Sequence, residues 1–436
     1  MINYDKFLRA SPDPEAAQVR FDRLRQDKQT RQLLEKLPEK LLPVFFHLIA
    51  LSDFLFRHFC RHPESLAILN ETPALDQTNL SSMVDIDALR QFKYRELLRI
   101  AWMDLNGDYS YTVILDRLSY LAEIIINRVL QIVASEKQYP GYDNLPVPFC
   151  AFAMGKLGAA ELNFSSDVDL IFVCKDHDEY QGDFHAYQAG VIDHIRKFSK
   201  AMQDVTEDGF LYRVDLKLRP WGRSGPLVLS VDETEHYYEA STEAWERFAW
   251  LRARIIAGDS SLGDDLVERL QSYIYLRSLS NDDLQRFVQI KQDMNRQRHK
   301  AGNWNVKLGN GGIRDIEFFI QMLQIVNAHS HTVLKTTNTL AVLESLVKLG
   351  FLSADEGNTI SDSYLFLRRL ENRLQMIDEQ QTHQLSDDPD DRRKIACSLG
   401  FGPVDNDRTL ENFDWELTRH RQVASSCFER ILPKET

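Results

Sequence analysis

The sequence is short of several things, and each shortage excludes a class of protein. Only five cysteines occur in 436 residues, and no two of Cys60, Cys150, Cys174, Cys397 and Cys427 show CxxC spacing. That argues against a disulfide framework or a structural zinc site and fits a reduced cytosol. No apolar run approaches the about 20 residues needed to span a bilayer. The most apolar early stretch, residues 41–51, is interrupted by Pro43 and His47, and the opening MINYDKFLRASPDPE lacks an apolar signal region. Positive charge is scarce as well: 52 basic against 65 acidic side chains leave a net charge of −13, the wrong sign for coating nucleic acid or an anionic membrane, although a local basic pocket stays open. The GxxxxGK[ST] loop, HExxH and GxSxG are all missing. What is present is an ordinary soluble composition, 43% hydrophobic and 27% charged, which excludes a disordered or collagen-like chain. The expectation is a soluble, cytoplasmic protein with no nucleic-acid or membrane partner. The end at Lys434-Glu435-Thr436, without an obvious finishing element, suggests one piece of a longer polypeptide.

The first part, to about Asp108, reads as helical. Leu118, Leu121, Ile125, Val129 and Ile132 then step by three and four along one face of an amphipathic helix. A turn-rich linker, QYPGYDNLPVP, ends at Pro148. The texture changes after it. Residues 149–154 and 168–174 are short apolar runs expected as strands. Residues 211–219 alternate strictly, with Tyr212, Val214, Leu216 and Leu218 apolar and Arg213, Asp215, Lys217 and Arg219 polar, as in a half-buried strand. A further strand is expected at 227–231 and a helix at 186–205. Helices are expected again at 235–256, 282–297, 313–328, 340–349, 360–376 and 415–431. The acidic run 387–391 reads as a solvated connection, and no short repeat appears.

The chemistry concentrates in GKLGAAELNFSSDVDL, residues 155–170. Asp167 and Asp169, two apart at a strand start, share a face, about 6.5–7 Å apart along the chain. Two carboxylates on one edge repel each other unless a cation sits between them, and all-oxygen ligation suits Mg²⁺ completed by water and phosphate oxygens. Gly155 and Gly158 permit close backbone approach, and residues 159–162 are expected to open a helix whose free N–H groups face an anion. Asp215 supplies a third acid on a strand face shared with Arg213, Lys217 and Arg219, so that a metal ligand is flanked by phosphate-binding cations. Taken singly, each feature has a plainer reading as a turn, a cap or a solvated edge. Together they supply the parts for phosphoryl or nucleotidyl transfer.

That ordered combination resembles the polymerase β-like nucleotidyltransferase superfamily. GKLGAAELNFSSDVDLIFV, GFLYRVDLKLRPWGRSGPLVLS and GGIRDIEFFIQ are similar to motifs of the glutamine synthetase adenylyltransferase/deadenylylase family. The resemblance implies a predominantly helical α+β fold, with a small mixed sheet as nucleotidyltransferase core at 111–260 between a helical region at 1–110 and a helical bundle at 261–436. It implies that Asp167, Asp169 and Asp215 hold Mg²⁺, and that Gly158, Ser166, Arg213, Lys217 and Arg219 contact phosphate or the adenylyl group. Members of the family join two such domains. The position of the motifs implies the N-terminal half, which removes AMP from a tyrosine of adenylylated glutamine synthetase by phosphorolysis, with inorganic phosphate as co-substrate and ADP as product. The implied partners are glutamine synthetase, the PII signalling protein in its uridylylated form, and a C-terminal adenylyltransferase half. ATP-dependent transfer in the opposite direction and a non-catalytic PII-binding module are the rival readings. The turn of the polymerase β-like superfamily is usually Gly-Gly or Gly-Ser, whereas this chain has Gly158-Ala159, which implies a reshaped phosphate cradle. Arg314, Asp315 and Glu317 read either as a helix start with an Arg–Glu pair at i, i+3 or as support for the site.

Overall fold

The computed structural model describes residues 3–70, 80, 83–135, 148–240, 242–276 and 280–431. It is predominantly helical, with one small mixed sheet. Residues 138–147 of the expected linker lie outside the described residues.

The front of the chain is helical as expected. Its longest helix before the sheet, Tyr111–Ala134, buries Leu118, Leu121, Ile125 and Val129 on one face and leaves Ile132 half-buried. No helix among the described residues is long and apolar enough to cross a membrane.

Five strands form the sheet: β1 (Cys150–Ala153), β2 (Val168–Cys174), β3 (Val214–Asp215), β4 (Val228–Ser230) and β5 (Arg254–Gly258). β1 lies antiparallel between β5 and β2. The other edge of β2 takes two parallel partners in succession, β3 beside its first residues and β4 beside its last. Val168 and Asp169 stand in register with Val214 and Asp215, so the pairing itself sets two of the three acids side by side. Both faces of the sheet are covered, which explains why β1, and β2 from Leu170 on, read as unbroken apolar runs. Phe172 packs edge-on against Phe198 of the helix Phe184–Gln203, at 6.0 Å between ring centroids. Phe152, on the opposite face, meets Trp250 at 5.4 Å. Alternation puts Asp169 on the Phe152 face, at the end where the sheet opens.

Three expectations need correction. The single helix expected at 235–256 is two helices, Val231–Ala240 and Ala244–Trp250, followed by β5. A capping box between Glu243 and Glu246 restarts the second helix, and Ile255 and Ile256 join β1 through a register shift. The strand expected over 211–219 shrinks to Val214–Asp215. Asp215 Oδ1 accepts the Lys217 N–H at 2.9 Å, which turns the chain out of the sheet. The acidic run at 387–391 is half connection and half helix start, because Asp388 accepts the Asp390 N–H at 2.8 Å and caps the helix Pro389–Ser398.

Later in the chain the helices Ile313–Asn327, Thr339–Lys348, Ala354–Met376 and Asp407–Glu429 pack on one another. The buried apolar residues form one cluster that runs from Leu8 to Phe428. The helix Ala354–Met376 crosses this core with Arg368, Glu371, Asn372, Arg373 and Gln375 fully buried. So many interior polar groups on one helix require partners; Arg373 pairs with Asp104, and the other four find theirs on the loop that carries the acids.

Candidate active site

After β1 the chain turns sharply. Gly155 takes φ +56°, and a Cβ there would sit 2.8 Å from Asp169 Oδ2, so both the backbone angle and the carboxylate demand glycine. The expected helix at 159–162 does not form. The helical turn is Gly155–Gly158, and Ala160 adopts φ 56°. Gly158 faces protein backbone rather than a ligand: a Cβ would lie 1.7 Å from the Arg252 carbonyl oxygen and 2.5 Å from that of Ala153. Ala159 is fully buried, and its carbonyl accepts from Asn338 Nδ2 at 3.1 Å. The Gly158-Ala159 step is thus a packing element. Gly158→Ala is expected to cost about 2–3 kcal/mol, read as a lower denaturant midpoint in urea unfolding. An unchanged midpoint with altered nucleotide affinity would instead restore a ligand-facing role.

Asp167, Asp169 and Asp215 all line one cavity of about 310 Å³, together with Gly155 and Ser166. Asp169 is the most perturbed of the three. Burial first, and then the charges of Asp215 and Asp167, push its carboxyl up to about 7. Arg213 Nε donates to Asp167 Oδ1 at 2.6 Å, and its Nη2 reaches the Ser165 carbonyl at 2.8 Å. The Lys217 ammonium pairs with Asp215. Ser166 Oγ accepts the Asn163 N–H at 3.1 Å and holds the loop in shape. Arg219 is committed elsewhere. Its guanidinium donates to the carbonyls of Leu216 at 2.6 Å, Pro226 at 2.9 Å and Gly225 at 3.0 Å, so it ties the turn after β3 rather than waiting for phosphate.

The donor set fits a hard divalent cation. Three carboxylates line one cavity, and burial followed by the charges of Asp215 and Asp167 raises the Asp169 carboxyl. Among the described residues no three acidic, His or Cys side chains stand together as a ready metal-binding group; Arg213 pairs with Asp167 and Lys217 with Asp215.

Sequence reasoning missed most of what supports these acids. Lys156 Nζ bonds Glu371 at 2.7 and 2.8 Å, and burial lowers the lysine to about 7 despite that partner. Asn163 Nδ2 donates to Glu371 at 2.7 Å, Asn372 accepts the Phe164 N–H at 2.8 Å, and Gln375 accepts the Ser165 N–H at 3.0 Å. Residues 163–165 are therefore fastened to the helix Ala354–Met376 immediately before Asp167. A second buried knot joins Glu161 to Tyr364 at 2.7 Å and to the Thr339 N–H at 2.8 Å. Arg252 Nη2 reaches Thr339 at 2.8 Å, and its Nη1 reaches Glu317 at 3.1 Å. The GGIRDIEF segment accordingly divides its labour. Arg314 bonds Gln297 instead of pairing with Glu317. Asp315 accepts the Gly311 N–H at 2.9 Å and stands 3.2 Å from Arg298. Glu317 extends to the cavity wall. Lys156 and Glu161 lay within the motif already quoted; the long-range partners left no local signal.

Comparison with known families matches this architecture. The family model described as glutamate-ammonia ligase adenylyltransferase covers residues 44–268, which include the sheet and all three acids. The chain belongs to that family. The later helices of this adenylyltransferase-family chain match a second model, described as PII-uridylyltransferase, over residues 286–432. A bifunctional glutamine synthetase adenylyltransferase/adenylyl-removing enzyme of Stenotrophomonas maltophilia strain R551-3 is 33% identical over 419 residues, covering 92% of this chain and 44% of that protein. Its counterpart in Nitrosococcus oceani is 35% identical over 367 residues, 81% of this chain and 37% of that protein. The chain thus spans less than half the length of the curated relatives it matches.

Proposed function

We propose that this chain carries the adenylyl-removing activity of the two named for its relatives: phosphorolysis of an adenylylated tyrosine on glutamine synthetase, releasing ADP. The observation that carries the reading is that Asp167, Asp169 and Asp215 line one cavity beside the Gly155 turn, with the Asp169 carboxyl raised to about 7 by burial and then by its two acidic neighbours. In it, these three acids hold Mg²⁺, which when bound supplies positive charge to the phosphoryl oxygens. The chain's own residues bind and orient. Lys156, fixed by Glu371, holds the Gly155 turn in place, and Arg213 orients Asp167. An oxygen of inorganic phosphate forms the new bond to the adenylyl phosphorus while the bond to the tyrosine oxygen breaks. A phenol with a pKa near about 10 leaves without a strong general base.

The similarity to the bifunctional relatives also favours a second reading, ATP-dependent adenylylation by the same acids. One experiment separates the two. The chain is incubated with Mg²⁺, inorganic phosphate and adenylylated glutamine synthetase, and in parallel with labelled ATP and the unmodified synthetase. The expected result is phosphate-dependent ADP from the first mixture. Label incorporated in the second, with no ADP in the first, rejects the proposal. The match of residues 286–432 to a model named for PII-uridylyltransferase supports a PII contact on the later helices; the partner in this reading is the uridylylated form.

A further inference from the structure

The cavity holds four carboxylates, those of Asp167, Asp169, Asp215 and Glu317, yet the proposed nucleophile is a dianion. Inorganic phosphate entering beside them is repelled unless a cation not already committed receives it. Three ammonium or guanidinium groups line the same cavity: Lys156, Arg252 and Lys307. Lys156 is bonded to both oxygens of Glu371, and Arg252 to Glu317 and Thr339. Among the described residues, no hydrogen-bond or ion-pair partner holds the ammonium of Lys307. Its charge is nevertheless felt across the site, by Asp169, Glu317 and Glu371 alike.

The backbone that carries Lys307 is firmly held, in contrast to its side-chain end. Asn305 Oδ1 accepts the N–H groups of Lys307 and Leu308 at 3.1 and 2.7 Å. The Lys307 carbonyl accepts the Arg314 N–H at 3.2 Å, and Val306 N–H donates to the His383 carbonyl at 2.9 Å. Gly312 passes so close that a Cβ there would lie 2.5 Å from the Lys307 carbonyl oxygen. A rigid loop therefore presents one unpaired, half-buried cation to the cavity. Little ordering of the loop is left to oppose binding, and a charge-assisted hydrogen bond to an incoming oxyanion is available.

We infer that Lys307 is the receptor for the inorganic phosphate co-substrate, holding it across the cavity from the carboxylate trio. The inference rests on the phosphorolytic reading above and adds the residue that receives the nucleophile. In the balanced step, hydrogen phosphate gives one oxygen to the adenylyl phosphorus, the electron pair of the broken P–O bond goes to the tyrosine oxygen, and the phosphate proton follows it. The products are ADP and free tyrosine. Lys307 neither gives nor takes a proton; it offsets the charge of the entering dianion.

The test compares Lys307→Met and Lys307→Arg with the unchanged chain. The Met substitution is expected to raise the KM for phosphate about tenfold or more, to leave the KM for adenylylated glutamine synthetase unchanged, and to keep the thermal midpoint, since the ammonium has no partner to lose. The Arg substitution should restore most of the phosphate KM. Titration of inorganic phosphate into the chain by calorimetry with Mg²⁺ present supplies a readout independent of turnover. Binding should be seen for the unchanged chain and be weakened about tenfold by Lys307→Met. An unchanged phosphate KM, an equal rise in both KM values, or an Arg variant as impaired as the Met variant overturns the assignment. Should the unchanged chain release no ADP yet bind phosphate through Lys307, the reaction reading falls and the phosphate site stands. Should it bind no phosphate, the site falls.

Discussion

Asp169→Asn is expected to abolish phosphate-dependent ADP release, by about 10³-fold or more, while making the metal-free protein more stable above neutral pH. The two effects have one cause. Asp169 sits where burial and two neighbouring carboxylates oppose its charge, so its carboxyl titrates near 7 rather than at its ordinary 3.8. A carboxyl raised on folding contributes stability that is full below its unfolded value, about 3.8, and is lost as pH rises through its folded value, about 7. At pH 8 the native protein thus bears an ionised Asp169 at a cost that the neutral amide avoids. With partial solvent screening discounted, the difference is about 2 kcal/mol. In urea unfolding with a chelator, the advantage of the variant should grow from pH 4 to pH 7, level off above that, and vanish near pH 3.5. Added Mg²⁺ should raise the midpoint of the native protein and leave that of Asp169→Asn nearly unmoved, because only a ligand that binds the folded state stabilises it. Asp167→Asn should lose activity similarly, but it frees Arg213 from its 2.6 Å bond and so gains no stability. Retained ADP release in either variant, or an Asp169→Asn protein less stable than the native one at pH 8, would refute the assignment.

The parts of this site that were legible in the sequence are those written in local pattern. The SSDVD run fixed a strand start by alternation, and the observed β2, Val168–Cys174, begins between the two acids. The third acid was found because Asp215 lies in an alternating segment, although only two residues of that segment pair as a strand. Spacing could not say what the cations do. Arg219 carries the same charge as Lys307, but it is used up on the carbonyls of its own turn. No local pattern marks Lys307, which lies between Gly302 and Gly309. Gly158 was read as a ligand-facing residue because glycine marks close approach; the backbone that approaches is that of Arg252. β5 was absorbed into an expected helix because its two isoleucines continue a helical period that only pairing with β1 overrules. The buried polar face of the helix Ala354–Met376 was invisible for another reason. Its partners stand about 200 residues away in sequence, as in the 208-residue separation of Asn163 from Glu371, and no periodicity reports such distances.

The largest stability loss is expected from that helix, at Glu371→Ala. Glu371 is fully buried. It is bonded by Lys156 Nζ at 2.7 Å and by Asn163 Nδ2 at 2.7 Å, with His383 Nδ1 at 2.7 Å and Arg368 Nε at 3.4 Å. Burial acts to raise its carboxyl, but the charges of Lys156 and Arg368 and the hydrogen bond with His383 hold it well below the usual range. Deleting the carboxylate leaves the Lys156 ammonium buried beside Arg368 and Lys307 without its bonded partner, with only the unbonded charge of Glu317 to offset it. Removing one partner of a buried pair costs about 3–5 kcal/mol, more than the pair contributes when whole, because the remaining charge is stranded. The loss should be largest near neutrality. A carboxyl depressed on folding gives stability that is present above its unfolded value, about 4.5, and disappears as pH falls through its folded value, so native and variant unfolding midpoints should converge in acid. Activity should fall with stability, since Asn163, which hands the loop on to Asp167, loses its anchor. The double variant Glu371→Ala, Lys156→Met separates the stranded charge from the lost scaffold. If the stranded ammonium dominates, the second substitution recovers much of the denaturant midpoint, giving a coupling energy of about 1–3 kcal/mol, while ADP release stays low. Additive losses would mean instead that Glu371 acts through packing alone, and that the acids keep their positions without it.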